Sequence, residues 1–364
     1  MALTPDGVRE LRFHGHDVVV QVGAGTGSSI ADDEYAAAGA SMVATAAEAW
    51  AAALVVKVKE PQLAEFAYLR DDLVLFTYLH LAAYPGVALA LLEAGTTALA
   101  YETVERSDGA LPLLAPMSEV AGRMATQVGA HFLEAHNGGR GVLLGGAPGV
   151  RPARVVVLGA GNVGWNAAWI AQGMQAEVLL LDRNLDRLRW VDQIHQGRIV
   201  TLASNRGAVE RAVASADLVI GAVLVAGDRA PTIVTEDMVR EMQAGSVIVD
   251  VAVDQGGCVE TTHETTHAEP TYRLHDVVHY AVGNMPGAVP HTSTYTLTNA
   301  TLPFVTEVAD LGVGGAVERS PELAAGVMTV GGHHANHVVA QALGAQARRP
   351  HDLLGVAEAR VASA

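Results

Sequence analysis

Cysteine is nearly absent from this chain: Cys258 is alone among 364 residues. A single thiol excludes an internal disulfide and suits a reducing compartment. The first residues also lack the basic-then-apolar pattern of a secretory signal, so the expectation is a cytoplasmic chain. Basic charge is scarce as well. With 23 Lys and Arg against 39 Asp and Glu, the formal net charge is −16, which argues against nucleic acid or an anionic membrane as partner. Long apolar runs are missing too: the most apolar region, residues 73–100, is broken by His80, Pro85 and Glu93, which excludes a membrane span there.

Lysine is the scarcest charge, and its placement carries information. Only Lys57 and Lys59 occur, both within Val55-Val56-Lys57-Val58-Lys59-Glu60-Pro61, while 21 arginines serve everywhere else. An ammonium differs from a guanidinium in being compact and in having a pKa that burial or charge can lower. The placement therefore marks one strand end as a candidate site.

The strongest motif lies at residues 154–182. The apolar, β-branched run 155–158 reads as a strand buried on both faces. Gly159-Ala160-Gly161-Asn162-Val163-Gly164 follows at once, then a helix over 165–172, a second strand over 178–181, and Asp182 at its end. Strand, G-x-G-x-x-G, helix, strand and acid in this order predict a dinucleotide site. Gly159 makes the tight turn, Gly161 lets the backbone approach a pyrophosphate, and Gly164 brings helix and strand together. The N–H groups at the helix start hold the phosphates. Asp182 is placed to bind the ribose hydroxyls and repel the extra phosphate of NADP, which points to NAD. Arg183 beside it is the residue type that accommodates a 2′-phosphate.

The rest of the chain alternates helix and strand. Thr4-Pro5-Asp6 opens a helix. A strand over 16–22 runs into Gly23-Ala24-Gly25-Thr26-Gly27, read as a turn because no long crossover helix and acid-ended strand follow. Helices are expected over 32–38 and 44–53, a strand over 54–58 delivering Lys59, and a strand over 73–77 delivering His80. A helix over 86–94 and a strand over 98–101 complete an α/β domain of residues 1–111. Its ligand groups belong beyond the carboxyl ends of its strands, where Lys59 and His80 fall. A long amphipathic helix over 117–136 leads into the dinucleotide fold, whose strands continue over 216–223, 246–251 and 280–282. From Thr292 the pattern turns wholly helical, over 298–311, 320–327 and 334–343. The fold expected is α/β: two Rossmann-like, doubly wound parallel-sheet domains with the active site in the cleft between them. Residues 1–111 plus 292–364 form the substrate domain, and 112–291 the dinucleotide-binding domain.

Two histidine clusters invite misreading. His263-Glu264-Thr265-Thr266-His267 matches H-E-x-x-H, but zinc chemistry needs it on a helix. Four threonines and Pro270 disfavour that helix, and no third ligand is evident. His333-His334-Ala335-Asn336-His337 reads as a solvated helix start. No resident metal is expected. His80, at a strand end, is the histidine placed for proton transfer near neutral pH. With Lys59, Asp254 and a nicotinamide in one cleft, it makes a set suited to hydride transfer at a carbon bearing nitrogen or oxygen.

The segments LTPDGV, GAGTGS, VKVKEP, LFTYLHLA, ALAYETV, PLLAPMSEVAGR, GAGNVG, VDVAVDQGG, VGNMPGAVPHTST and LTNATLPF occur in this order over nearly the whole chain. Together they resemble the alanine dehydrogenases, which are related to the NAD-binding part of proton-translocating transhydrogenases. The KVKEP and LHLA segments favour the dehydrogenase. The resemblance implies reversible oxidative deamination of L-alanine to pyruvate and ammonia, with NAD as hydride acceptor. It implies that Lys59 hydrogen-bonds the substrate, that His80 is the acid/base, and that Asp254 positions substrate and carbinolamine. It places Ser118, Asp182, Arg187, Ser204, Val223, Leu224, Asp254, Asn284 and Met285 at cofactor contacts beside the three glycines, with Asn284 also toward substrate. A cytoplasmic homohexamer with small-molecule substrates is implied as well. One departure stands out. The family has a strand, an acidic stretch and an Arg-Val pair before A-L-T-P, and that Arg clamps the substrate carboxylate. Here Met1 stands where the family has Val, so the expectation is a GTG codon taken as the start of a longer protein. The alternatives are a dehydrogenase for another small amino acid and a catalytically weakened NAD(H)-binding homologue. A transhydrogenase would need a membrane partner segment, which this sequence does not show.

Overall fold

Val155, Val156, Val157 and Leu158 are all buried, the state of a strand covered on both faces. The computed structural model describes residues 1–223, 230–253 and 256–357. Among these, the strand Arg154–Leu158 belongs to a seven-stranded sheet ordered Thr271–Leu274, Val277–Tyr280, Val247–Asp250, Leu218–Gly221, Arg154–Leu158, Glu177–Asp182, Val200–Ala203. All pairings are parallel except the hairpin of Thr271–Leu274 with Val277–Tyr280. The chain steps outward from Arg154–Leu158 to Val200–Ala203, then returns to the other flank at Leu218–Gly221 and continues outward. This doubly wound order puts a switch point between Arg154–Leu158 and Leu218–Gly221, where a crevice opens at the carboxyl ends.

Local chemistry starts the helices that cover this sheet. Asn184 accepts from the N–H groups of Asp186 and Arg187 to cap Leu185–His195, and Asn205 accepts from Ala208 to cap Arg206–Ala214. The helix Ala115–Phe132 lies against Asn162–Gly173. A side chain at Gly122 would collide with the Val163 carbonyl, and the Thr126 hydroxyl donates to the Ala167 carbonyl at 2.8 Å. The helix ends at Phe132, short of His136, and Gly138 at φ +90° turns the chain away.

By contact the chain divides into two units, Met117–Ala288 and Met1–Pro116 with Val289–Ala364. In the second of these, Leu54–Val56, Val74–Thr77 and Thr97–Ala100 pair in parallel, while Val19–Gln21 and Ser41–Val43 pair apart from them as a two-stranded parallel sheet. The wholly helical ending expected after Thr292 is corrected here. Helix is confined to Leu323–Gly326 in the region expected as 320–327, and Val327–Val330 is a strand antiparallel to Thr97–Ala100, followed by His333–His334. The reason is tertiary. Thr97–Ala100 would otherwise present an unpaired edge, and the buried Val327, Met328 and Thr329 fill it, with Gly331 and Gly332 at positive φ turning the chain. The expected helix over 298–311 is longer, Pro290–Arg319, with Pro290 in its first turn and a break at Gly312 (φ +68°, ψ 169°) just beyond Leu311. The strand expected over 280–282 is Val277–Tyr280, and its hairpin partner Thr271–Leu274 was masked in the sequence by polar residues. No helix among the described residues is long and apolar enough to cross a membrane.

Candidate active site

In the unit Met117–Ala288, the candidate residues gather at the carboxyl ends of the parallel strands. Gly159 leaves Arg154–Leu158 at φ +102°, and a Cβ there would stand 2.6 Å from the Ala222 carbonyl oxygen. A Cβ at Gly164 would run into the Gly159 carbonyl. At Gly161, the N-cap of Asn162–Gly173, a Cβ would meet nothing nearer than the Arg187 guanidinium at 3.9 Å. Two glycines are therefore demanded by the fold, and the third leaves open space before a helix start. That arrangement fits a pyrophosphate, which takes hydrogen bonds from backbone N–H groups. Asp182 ends Glu177–Asp182, accepting from the Ala160 N–H at 2.6 Å and the Asn184 N–H at 2.7 Å. A carboxylate has about four lone-pair sites, so capacity remains for ribose hydroxyls. Ser204 follows Val200–Ala203 and donates its N–H to the Asp182 carbonyl at 2.9 Å. Val223 follows Leu218–Gly221 and would lie 3.1 Å from a Cβ on Gly159. Asn284, at φ +54°, and the buried Met285 follow Val277–Tyr280, and Ser118 lies in the first turn of Ala115–Phe132. Leu224 and Asp254 fall outside the described residues.

Asp250, missed in the sequence, organises the loop beyond Val247–Asp250. Its buried carboxylate accepts from the N–H groups of Ala252 (3.1 Å), Cys258 (3.0 Å) and Val259 (3.2 Å) and from the Thr262 hydroxyl (2.6 Å). Burial raises its pKa, and these four donors oppose the rise. The Cys258 thiol is buried beside it, and desolvation with the Asp250 charge pushes its pKa well up, so this sulfur is no thiolate nucleophile. The signal in the sequence was an acid ending an apolar strand.

In the other unit, three adjacent parallel strands each present a functional group just past the carboxyl end. Lys59 follows Leu54–Val56, His80 follows Val74–Thr77 and Glu102 follows Thr97–Ala100. The two lysines part company. Lys57 is partly buried, paired with Glu65 and set 5.2 Å over the Trp50 ring, whereas Lys59 is exposed and has no ion pair among the described residues. The Lys59 carbonyl accepts from the Thr77 hydroxyl at 3.0 Å, tying this loop to the strand that carries His80. His80 has φ +46°, rare for a side chain with a Cβ, and its ring lies parallel to that of Tyr78 at 5.8 Å between centroids. Tyr78 is anchored by donating its hydroxyl to the Leu113 carbonyl at 2.6 Å. Burial, with Glu102 adding, raises the Tyr78 pKa, so the phenol stays protonated. Glu102 is a second residue missed in the sequence; an acid two residues beyond a strand end, within ALAYETV, was its only sign.

The decoys resolve by conformation. Residues 263–267 form no helix: His263 stacks on Tyr272 with 4.0 Å between centroids, and His267 donates toward the Asn284 carbonyl at 3.3 Å. The two imidazoles thus have different neighbours. Gly23–Gly27 is a turn leading into a single 3-10 turn, Thr26–Ser28. In the last cluster His333 and His334 are strand, and Asn336 caps His337–Ala342.

Residues 1–121 match the family description "Alanine dehydrogenase/PNT, N-terminal domain", and residues 125–337 match "Alanine dehydrogenase/PNT, C-terminal domain". The chain is 54% identical over 355 residues to an alanine dehydrogenase of Mycobacterium tuberculosis, covering 97% of this chain and 96% of that one. It is 54% identical over 346 residues to an alanine dehydrogenase of Bacillus subtilis, covering 94% and 91%. A solved L-alanine dehydrogenase superposes with a TM-score of 0.91 at 50% identity, over 94% of this chain and 95% of that one. The transhydrogenase of Sinorhizobium meliloti superposes with a TM-score of 0.78 at 26% identity, over 92% and 94%. Motif order, strand-end chemistry and these likenesses over nearly its full length lead to one assignment: the chain belongs to the alanine dehydrogenase family.

Proposed function

We propose that this protein is an NAD-dependent alanine dehydrogenase, converting L-alanine, NAD and water to pyruvate, ammonium, NADH and a proton, and the reverse. The observation that carries this reading is the pair Lys59 and His80 at the carboxyl ends of adjacent parallel strands in a chain of this family. The unit Met117–Ala288 is the NAD-binding domain, through Gly159, Gly161, Gly164, Ser118, Asp182, Arg187, Ser204, Val223, Leu224, Asp254, Asn284 and Met285. Met1–Pro116 with Val289–Ala364 is the substrate domain. NAD supplies the hydride acceptor. Lys59, exposed and without an ion pair among the described residues, holds the substrate carbonyl or carboxylate. The His80 imidazole takes a proton as water adds to the imine carbon and returns it to the departing amine, the alternation a histidine near neutral pH performs. Asp254 and Asn284 orient the substrate, because hydride transfer demands the Cα–H held at a fixed distance and angle. The family likeness also supports a cytoplasmic homohexamer.

The test is NADH formation from L-alanine at alkaline pH, with serine, glycine and NADP as comparison reactants. The expected result is turnover with L-alanine and NAD, and a loss of about 100-fold or more in kcat for His80→Ala with NADH still bound. NADH binding without turnover of any amino acid overturns the reading in favour of a binding-only homologue.

A further inference from the structure

We propose that Glu102 is the positioning residue of His80, acting through the backbone rather than through the ring. This inference rests on the acid/base role proposed for His80. The Glu102 Oε1 accepts from the His80 N–H at 2.7 Å and from the Leu79 N–H at 3.2 Å, while Oε2 lies 3.3 Å from the Leu79 N–H. Two successive N–H groups converging on one anion form the concave backbone arrangement that a left-handed residue creates. His80 is that residue, at φ +46°.

Glu102 is spent on this task. Its side chain is 14% exposed, a state a carboxylate reaches only when partnered, and the partners are these two backbone groups. The His80 Nδ1 stands 3.8 Å from Oε1, beyond hydrogen-bond distance, so the ring is not held by a carboxylate–imidazole bond here. Leu79 and Leu81 on either side are buried in the core, and the His80 carbonyl accepts from Ala83 at 2.8 Å and Tyr84 at 3.1 Å. Core packing therefore pins the flanks, Glu102 pins the peptide between them, and the imidazole alone projects, 42% exposed, along the face of Tyr78. Without the acceptor, the Leu79 and His80 N–H groups lose the partner that favours the left-handed backbone, and an extended or right-handed residue would swing the ring away.

The role sets a distinctive order among variants. Glu102→Gln keeps an oxygen that can accept from both N–H groups but loses the charge. Glu102→Asp keeps the charge but withdraws the oxygens by one methylene. Glu102→Ala loses both. We expect Glu102→Ala and Glu102→Asp to lose about 100-fold in kcat for L-alanine, the cost of a displacement of about 1 Å, with NADH affinity within twofold of the parent protein. Glu102→Gln recovers most of that loss. Full-length variants would be assayed by steady-state kinetics, with NADH fluorescence titration and thermal melting as checks on folding. If Glu102→Asp is active and Glu102→Gln is not, the charge matters and the backbone role is overturned. If folded Glu102→Ala keeps kcat within twofold, Glu102 does not position His80. The two readings separate through His80→Ala: if that variant retains turnover, the acid/base role fails and this inference with it. If His80→Ala is dead and the Glu102 variants are unaffected, this inference alone fails.

Discussion

The two sets of strand ends in this molecule solve different problems with different atoms. Around Arg154–Leu158 the chain offers backbone: Gly159 at φ +102°, the open Gly161, and Gly164 packed against the Gly159 carbonyl. Carboxylates there serve the loops, Asp182 accepting from Ala160 and Asn184, and Asp250 from Ala252, Cys258 and Val259. Around Val74–Thr77 the chain offers the side chains of Lys59 and His80 from neighbouring strands, with Glu102 from the next strand accepting from the His80 backbone. A phosphate is satisfied by peptide N–H groups, so its site is written in consecutive residues. On the reading proposed above, His80 for proton transfer and Lys59 for substrate come from separate strands, so that site is scattered along the chain.

Gly164 is the most crowded of these strand-end glycines. Gly164→Val places a branched side chain on the Gly159 carbonyl, and we expect loss of NADH binding and of cooperative folding of the dinucleotide unit, read by fluorescence titration and circular dichroism. Gly161→Ala, with only Arg187 within 4 Å of the new carbon, should fold normally and weaken NADH alone.

Next in size is the carboxylate that serves a loop. Asp250→Ala strands three N–H groups in a buried place, while the Thr262 hydroxyl still has the Val259 carbonyl at 2.8 Å, and unmade buried hydrogen bonds cost about 1–3 kcal/mol each. Urea denaturation should show a loss of at least about 3 kcal/mol. A loss below about 1 kcal/mol would mean that the loop holds itself without Asp250.

The smallest effect is a pH dependence from His279, one strand in from the sheet edge. His279 is buried in Val277–Tyr280, with Thr261 at 2.8 Å from Nε2, and burial lowers its pKa to about 4. Because the folded value lies below the unfolded one, the unfolded chain binds the extra proton. Stability is full above about pH 6.5 and falls as pH drops toward about 4, by up to about 3 kcal/mol. Urea midpoints at pH 7.5 and pH 5 measure it, and His279→Gln should flatten the slope.

Much of this was legible in one dimension. The buried run 155–158, the spacing of Gly159, Gly161 and Gly164, and Asp182 at a strand end spelled out the strand–turn–helix–strand unit, because each signal acts within about 30 residues; the switch point beside it waited for Leu218–Gly221 to pair. The Thr4-Pro5-Asp6 helix start, the turn at Gly23–Gly27 and the threonine-rich loop at 263–267 were equally local. Two lysines in 364 residues drew attention to one strand end. The sequence could not say which lysine is exposed, since Glu65 and Trp50 claim Lys57 from outside its strand. Nor did it show that Val327–Val330 is a strand: that segment is ordered by the edge it fills, from more than 200 residues away. The sequence alone determined the dinucleotide motif and the α/β alternation, because dihedral preference and burial pattern act over a turn or a strand. Only the tertiary structure decided that Glu102 stands beneath His80, because three parallel strands had to pair before an acid 22 residues further along could accept from its backbone.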